Sequence, residues 1–288
     1  MVEMPPNVLR LGREIRRCGL CPRRCGVNRQ AGQIGACRIG SQAVVASAGP
    51  HFGEEPCLVG NGGSGTIFFT GCNLACVFCQ NADISQGAEG LPRTPMQIAE
   101  IALGLQGRGC RNINFVTPTH VVHAVAEVVV LARASGLTIP TVYNCGGYES
   151  VGTLALLEGL IDIYMPDFKW ADEPAGRKYS GVADYPAVAT AALAEMYRQV
   201  GPLRLDARGE AIAGLLVRHL VMPGDLAHSS EAIDVIASTA PGVTVNIMSQ
   251  YHPAFHAGRL PELADRPKSA CIDRLRRQAR SRGLRLAR

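Results

Sequence analysis

Gly65 to Asn81 reads GTIFFTGCNLACVFCQN, and the fold is decided by how this stretch is read. Thr66-Ile67-Phe68-Phe69-Thr70 is a short run of β-branched and aromatic residues, the composition of a buried strand. Gly71 ends the run, and Cys72, Cys76 and Cys79 follow at C-x3-C-x2-C spacing. One compact loop with that spacing can aim three thiolates at a single point, which suits a soft, sulfur-preferring centre. A structural zinc loop completed by a distant fourth ligand is the plainer reading, but such sites are usually built from paired C-x2-4-C knuckles. Three cysteines at the end of one strand make an iron–sulfur cluster the leading expectation. Three ligands leave one iron of a four-iron cluster without a protein donor, and the chemistry is expected there.

Working outward, 288 residues suffice for one large domain and a small appendage, and with 47% hydrophobic and 18% charged residues a sizeable core is possible. The formal charge of +5 is a mild bias carried partly by the Arg-rich stretch after Arg266. That stretch lacks interleaved aromatics, so base stacking and nucleic-acid binding are not expected, and a solvated amphipathic helix with a frayed tail is. No apolar run is long enough to cross a bilayer, and the N-terminus lacks a signal-peptide core, which predicts no membrane partner and a cytoplasmic protein. Eleven cysteines in a reducing compartment point to metal rather than to a disulfide framework.

Three segments follow. Residues 1–58 carry a short helix from Leu9 to Arg17 and then Cys18, Cys21, Cys25 and Cys37, a C-x2-C-x3-C-x11-C set among Gly, Pro and Arg. Four soft ligands in a loop-rich segment read as a metal-stapled module, and zinc or an auxiliary iron–sulfur cluster fits equally. Residues 59–255 begin with VGNGGSG, which has no Lys and precedes its strand, so it is a flexible linker rather than a phosphate loop. Helix-length segments then alternate with short strands: helices at 96–105, 120–134, 151–160, 187–200 and 229–239, and strands at 113–116, 138–143, 161–165, 214–221 and 243–248. That alternation predicts a parallel α/β sheet with right-handed crossovers, in six units rather than eight. Residues 256–288 form a basic C-terminal extension.

Phe78 stands directly before Cys79, and with it the opening stretch resembles the radical S-adenosylmethionine (SAM) signature, C-x3-C-x-aromatic-C. The resemblance implies a partial (β/α)6 TIM-type barrel, a [4Fe–4S] cluster on Cys72, Cys76 and Cys79, and SAM chelating the open iron. Reductive cleavage of SAM to methionine and a 5′-deoxyadenosyl radical would follow, with an electron donor such as flavodoxin or ferredoxin.

In parallel barrels functional groups sit at the carboxyl ends of the strands. Those exits carry Thr117-Pro118-Thr119-His120, Asn144 with Gly146-Gly147, Asp167-Phe168-Lys169, Arg218-His219 with Pro223-Gly224, and Gln250-Tyr251-His252. Asp167-Phe168-Lys169, Arg218 to Gly224 and Tyr251-His252 resemble motifs of glycyl-radical activating enzymes, in the branch related to pyruvate formate-lyase activating enzyme. The resemblance implies that Phe78 packs on adenine, that Asn144, Asp167 and Lys169 bind SAM, and that the substrate is a glycine of a partner protein. It departs at Thr117-Pro118-Thr119, where the family carries Gly-Gly-Glu for the SAM amino group; Thr117 and Thr119 would accept those hydrogen bonds instead. That departure leaves room for a radical SAM modifier of another peptide or small molecule. A non-catalytic iron–sulfur electron carrier would not need Phe78 or the ring of polar strand exits. His120 and His123 read as structural and His219 as flanking the pocket or packing; Cys110, Cys145 and Cys271 read as small buried hydrophobes, with Cys145 set apart by its place at a strand exit.

Overall fold

A computed structural model of the chain describes residues 2–87 and 89–287. In chain order its first elements are α1 (Pro6–Glu14), β1 (Ala43–His51), α2 (Pro56–Val59), β2 (Ser64–Phe69), α3 (Ala82–Ser85), β3 (Leu91–Arg93), α4 (Pro95–Gly107), β4 (Ile113–Val116), α5 (Val122–Ala134) and β5 (Thr141–Cys145). There follow α6 (Val151–Ala155), β6 (Ile163–Pro166), α7 (Glu173–Ser180), α8 (Tyr185–Val200), β7 (Arg204–Leu205), β8 (Ala211–Leu220), α9 (Ser229–Thr239), β9 (Thr244–Met248), α10 (Ser269–Ser281) and β10 (Arg285–Leu286).

β2, β4, β5, β6, β8 and β9 pair in parallel, each with the next, and form the six-stranded partial barrel. No pairing joins β9 back to β2 among the described residues, so the barrel is open on that side. The two edges are covered instead: β1 runs antiparallel to β2, and β10 runs parallel to β9. Covering a sheet edge satisfies its backbone groups and removes a template for aggregation. The tail expected to fray is therefore ordered, because Arg285 and Ala287 donate backbone N–H groups to Val243 and Val245 at 3.0 and 2.9 Å.

Strand alternation sorts the side chains into two layers. Ile67, Phe69, Ile113, Phe115, Tyr143, Tyr164, Leu215, Val217, Val245 and Ile247 face outward into the main core under the helices. The opposite face points into the barrel, where Leu58 of α2 packs with Val142, Ile163, Met165 and Leu216 in a separate apolar cluster that closes the floor. Local signals set several of the helices. α4 starts with Pro95 behind a Thr94–Gln97 capping box, and α7 starts on Asp172, whose carboxylate accepts from Ala175 N at 3.1 Å. The helix expected over 151–160 stops at Ala155, and turns carry the chain on to Leu157 and Leu160, both buried. The strand expected at 138–143 begins later, at Thr141, after Pro140, which has no N–H to give a ladder.

The stretch expected to be a flexible linker is a tight turn. A Cβ on Gly62 would fall well inside van der Waals contact with the Gly109 carbonyl oxygen, and a Cβ on Gly65 would come within 2.8 Å of the Asn112 carbonyl. These glycines let two backbones touch where β2 enters the barrel. Gly62→Ala should lower stability by about 1–3 kcal/mol, with unchanged denaturant dependence of the unfolding free energy; a variant as stable as the parent in urea unfolding contradicts this packing.

Candidate functional site

Cys72, Cys76 and Cys79 lie on the loop leaving the C-terminal end of β2. The loop is fixed by backbone contacts: Ala75 N donates to Ser180 O at 3.1 Å, and Val77 N to Tyr179 O at 2.9 Å. Asn73 Nδ2 reaches Tyr148 O at 2.7 Å. Each sulfur has its own polar neighbour. Leu74 N–H donates to Cys72 Sγ at 3.3 Å, Ser180 Oγ lies 3.1 Å from Cys76 Sγ, and Ser85 Oγ lies 3.2 Å from Cys79 Sγ. Trp170 Nε1–H donates to Ser180 Oγ at 2.8 Å, which leaves the Ser180 proton free for the Cys76 sulfur. Burial, reinforced by the neighbouring Cys76, pushes the Cys72 thiol up to about 12. Cys76 is also raised by burial, against the lowering influence of Lys169 and Ser180. Three thiols surrounded by donors fit a thiolate-bound metal cluster, which supplies the charge that burial otherwise resists. Among the described residues, no three Cys, His, Asp or Glu side chains already stand at metal-coordinating distances, so the cysteines are grouped by the backbone without being drawn to one point.

Phe78, Asp167 and Lys169 line one pocket together with Trp170, Leu220 and Met222. Phe78 is buried, edge-on to Trp170 with ring centroids 5.5 Å apart. Asp167 and Lys169 form an ion pair. Burial would depress Lys169, but the Asp167 carboxylate and the Cys76 sulfur outweigh it and hold its pKa above the usual lysine range. Asn144 is half-buried on the inward face of β5, beside Met165 in register.

The β4 exit is arranged differently. Thr117 has φ 59, a left-handed conformation unusual for a β-branched residue. Thr119 is buried and does not line the pocket of Phe78, Asp167 and Lys169; its hydroxyl donates to the carboxylate of Glu149. Glu149 also receives Tyr143 OH at 3.2 Å, and no cation pairs with it among the described residues. Burial pushes its carboxyl up to about 8, against the lowering effect of the Thr119, Tyr143 and Cys145 hydrogen bonds. A carboxyl group therefore does stand behind Thr119, held largely neutral by burial and supplied by the next strand's exit rather than by the motif itself.

Cys18, Cys21, Cys25 and Cys37 all line a second cavity, beside Arg29 and His120. Burial drives His120 down to about 4, so it is neutral, and its Nε2–H donates to Thr70 O at 2.7 Å. Arg23, between Cys21 and Cys25, donates Nε to Asn73 O at 2.8 Å and Nη1 to Gly181 O at 2.9 Å. It ties the first cysteine set to the second.

Sequence reasoning missed several of these groups. Ser180 comes from the end of α7, 104 positions from its cysteine, and carries no local signal. Glu149 could have been suspected from Gly146-Gly147-Tyr148-Glu149, a Gly-Gly run ending in a carboxylate one strand later than expected. Glu54 and Glu55, which the sequence reading does not single out, enter the barrel and pair with Arg218; Glu55 Oε1 accepts from Arg218 Nε and Asn246 Nδ2, both at 2.8 Å.

The chain matches no protein-family model. It is 33% identical over 271 residues to the uncharacterized protein MJ0674 of Methanocaldococcus jannaschii, a match covering 90% of this chain and 74% of that one. Among solved structures it superposes on Streptococcus suis SuiB bound to precursor peptide SuiA with a TM-score of 0.52, at 12% identity, over 75% of this chain and 46% of SuiB. SuiB bound to S-adenosylmethionine gives the same TM-score at 13% identity. A radical SAM methyltransferase from Sphaerobacter thermophilus gives 0.51 at 16% identity, over 77% of this chain and 65% of that one. The chain thus spans about half the length of SuiB. These likenesses establish the fold, the partial barrel of radical SAM enzymes.

The buried Glu149 makes a pH prediction. Its raised folded-state pKa favours the native state below the ordinary carboxyl value of 4.5, and that contribution is lost as pH rises through about 8. Glu149→Gln should therefore gain stability over the parent on the order of a few kcal/mol between about pH 6 and pH 9. Thermal unfolding across that range checks it, and parallel curves for the two proteins contradict the assignment.

Proposed function

The chain belongs to the family of the Methanocaldococcus jannaschii protein MJ0674, and on that footing we propose that it is a radical SAM enzyme acting on a peptide. The observation that carries the reading is the C-x3-C-x2-C loop at the C-terminal end of the first barrel strand, each of its sulfurs beside a hydrogen-bond donor or hydroxyl. Bound to Cys72, Cys76 and Cys79, a [4Fe–4S] cluster with SAM on its open iron would supply the one-electron cleavage of SAM to methionine and a hydrogen-abstracting 5′-deoxyadenosyl radical.

This chain's own residues hold and shield the reactants. Phe78 and Trp170 offer an apolar wall for the adenine, and the Asp167–Lys169 pair presents both charges to the polar end of SAM. Asn144 contributes an amide from the inward face of β5. Thr117, with its turned backbone, offers oxygen lone pairs to the SAM ammonium, whereas Thr119 is buried away from the pocket and supports that exit through Glu149. The closed floor around Leu58 keeps water from entering the barrel from below. Cys18, Cys21, Cys25 and Cys37 form a second metal site, zinc or iron–sulfur.

For the substrate, the Asp167-Phe168-Lys169 and Arg218 to Gly224 motifs support a glycine of a partner protein, and the peptide-bound SuiB structure supports a peptide of some kind. The Thr117–Thr119 departure favours, as a second reading, a peptide other than a glycyl-radical enzyme. A reductant such as flavodoxin or ferredoxin would deliver the electron.

Anaerobically reconstituted, reduced protein should release 5′-deoxyadenosine from SAM, and Cys76→Ala should abolish that release; full activity in the variant sinks the scheme. Electron paramagnetic resonance of candidate polypeptides after turnover separates a glycyl radical from other modification. Ser180→Ala should shift the cluster's reduction potential downward by roughly 40 mV, the one-electron equivalent of ~1 kcal/mol. An unchanged potential in a redox titration would remove Ser180 from the site.

A further inference from the structure

Arg29 is 1% exposed and lines the cavity of the four N-terminal cysteines. Its Nε donates to Gly40 O and its Nη1 to His120 O, both at 2.7 Å, and Nη1 lies 3.9 Å from Cys18 Sγ. Nη2 is buried with no partner. Among the described residues no carboxylate stands within ion-pair distance of this guanidinium. A guanidinium does not shed its proton, so a buried one needs an anion close by. Neutral thiols do not provide it. Four thiolates around a divalent ion do, since such a centre carries a net charge of about −2.

The backbone prepares the same centre. Cys18 N donates to Val27 O at 2.9 Å and Gly26 N to Cys18 O at 3.0 Å, which lays the first cysteine against the segment holding Cys25. Arg24 N donates to Cys21 O at 3.0 Å, turning the chain between the middle pair. Arg24 (φ 39) and Arg38 (φ 65), the neighbours of Cys25 and Cys37, adopt the left-handed region without being glycine. Such conformations persist where surrounding structure imposes them.

We propose that Cys18, Cys21, Cys25 and Cys37 bind a soft metal as a tetrathiolate centre, and that Arg29 is its buried counter-cation, a positioning residue whose Nη2 serves the sulfurs. The inference deepens the second-site part of the function proposed above and does not depend on SAM chemistry.

The test uses the full chain with Cys72, Cys76 and Cys79 changed to Ser, so that only the N-terminal set can respond. Titrated anaerobically with Co2+, this protein should take up one equivalent and develop thiolate-to-cobalt charge-transfer absorption, lost on adding Cys21→Ser or Cys37→Ser. Adding Arg29→Met should weaken Co2+ binding about 10- to 100-fold, and Arg29→Lys should recover part of that. Iron and sulfide counts after reconstitution distinguish a single ion from a cluster. Absence of both the cobalt band and iron uptake overturns the site. If Arg29→Met fails to fold by circular dichroism, Arg29→Gln is read instead; binding as tight as the parent in a folded variant overturns the role of Arg29. Failure of SAM cleavage in the unmodified protein would leave these results standing, so the two readings fail separately.

Discussion

A buried thiol resists ionisation, and the polar groups around the Cys72–Cys79 loop answer that resistance. Burial raises Cys72 and Cys76, and like-charged neighbouring sulfurs add to the difficulty. The answer comes from four places, two beside the loop and two far from it in sequence. The loop's own amide at Leu74 serves Cys72, Ser180 at the end of α7 serves Cys76, and Ser85 in α3 serves Cys79. Lys169 brings a positive charge from the β6 exit, kept in place by Asp167. The barrel matters because it is what brings these groups to one rim.

The strands were legible because their periodicity is enforced by burial on both faces. A run such as Ile113-Asn114-Phe115-Val116 has little freedom to be anything else once helices cover one side and a packed floor the other. What escaped was set by contact between distant backbones. The turn around Gly62 reads as a flexible linker in one dimension, and only the approach of Gly109 shows it to be a packed joint. The ordered tail is of the same kind, since two backbone bonds to β9 decide it and no side-chain pattern announces them.

In the candidate site, the ligand-type residues announce themselves through spacing, whereas the groups that tune them do not. Cysteines at C-x3-C-x2-C must share a loop. A serine that reaches a sulfur from α7 is indistinguishable in sequence from any other helix-end serine. Thr119 shows a subtler loss: its residue type suggested an acceptor facing ligand, and the structure turns its proton onto Glu149, a partner thirty positions on. Glu54 and Glu55 carry no local pattern, since their partner Arg218 lies 164 and 163 positions on.

Arg23 and Arg29 precede their acceptors in the chain by long stretches. Arg29 waits for the carbonyl of His120, and Arg23 for those of Asn73 and Gly181. The segment from Cys18 to Cys37 is therefore held by groups that lie as far along the chain as Gly181. A metal held by the proposed N-terminal cysteine set would thereby be coupled to the folding of the barrel and not to its own segment alone.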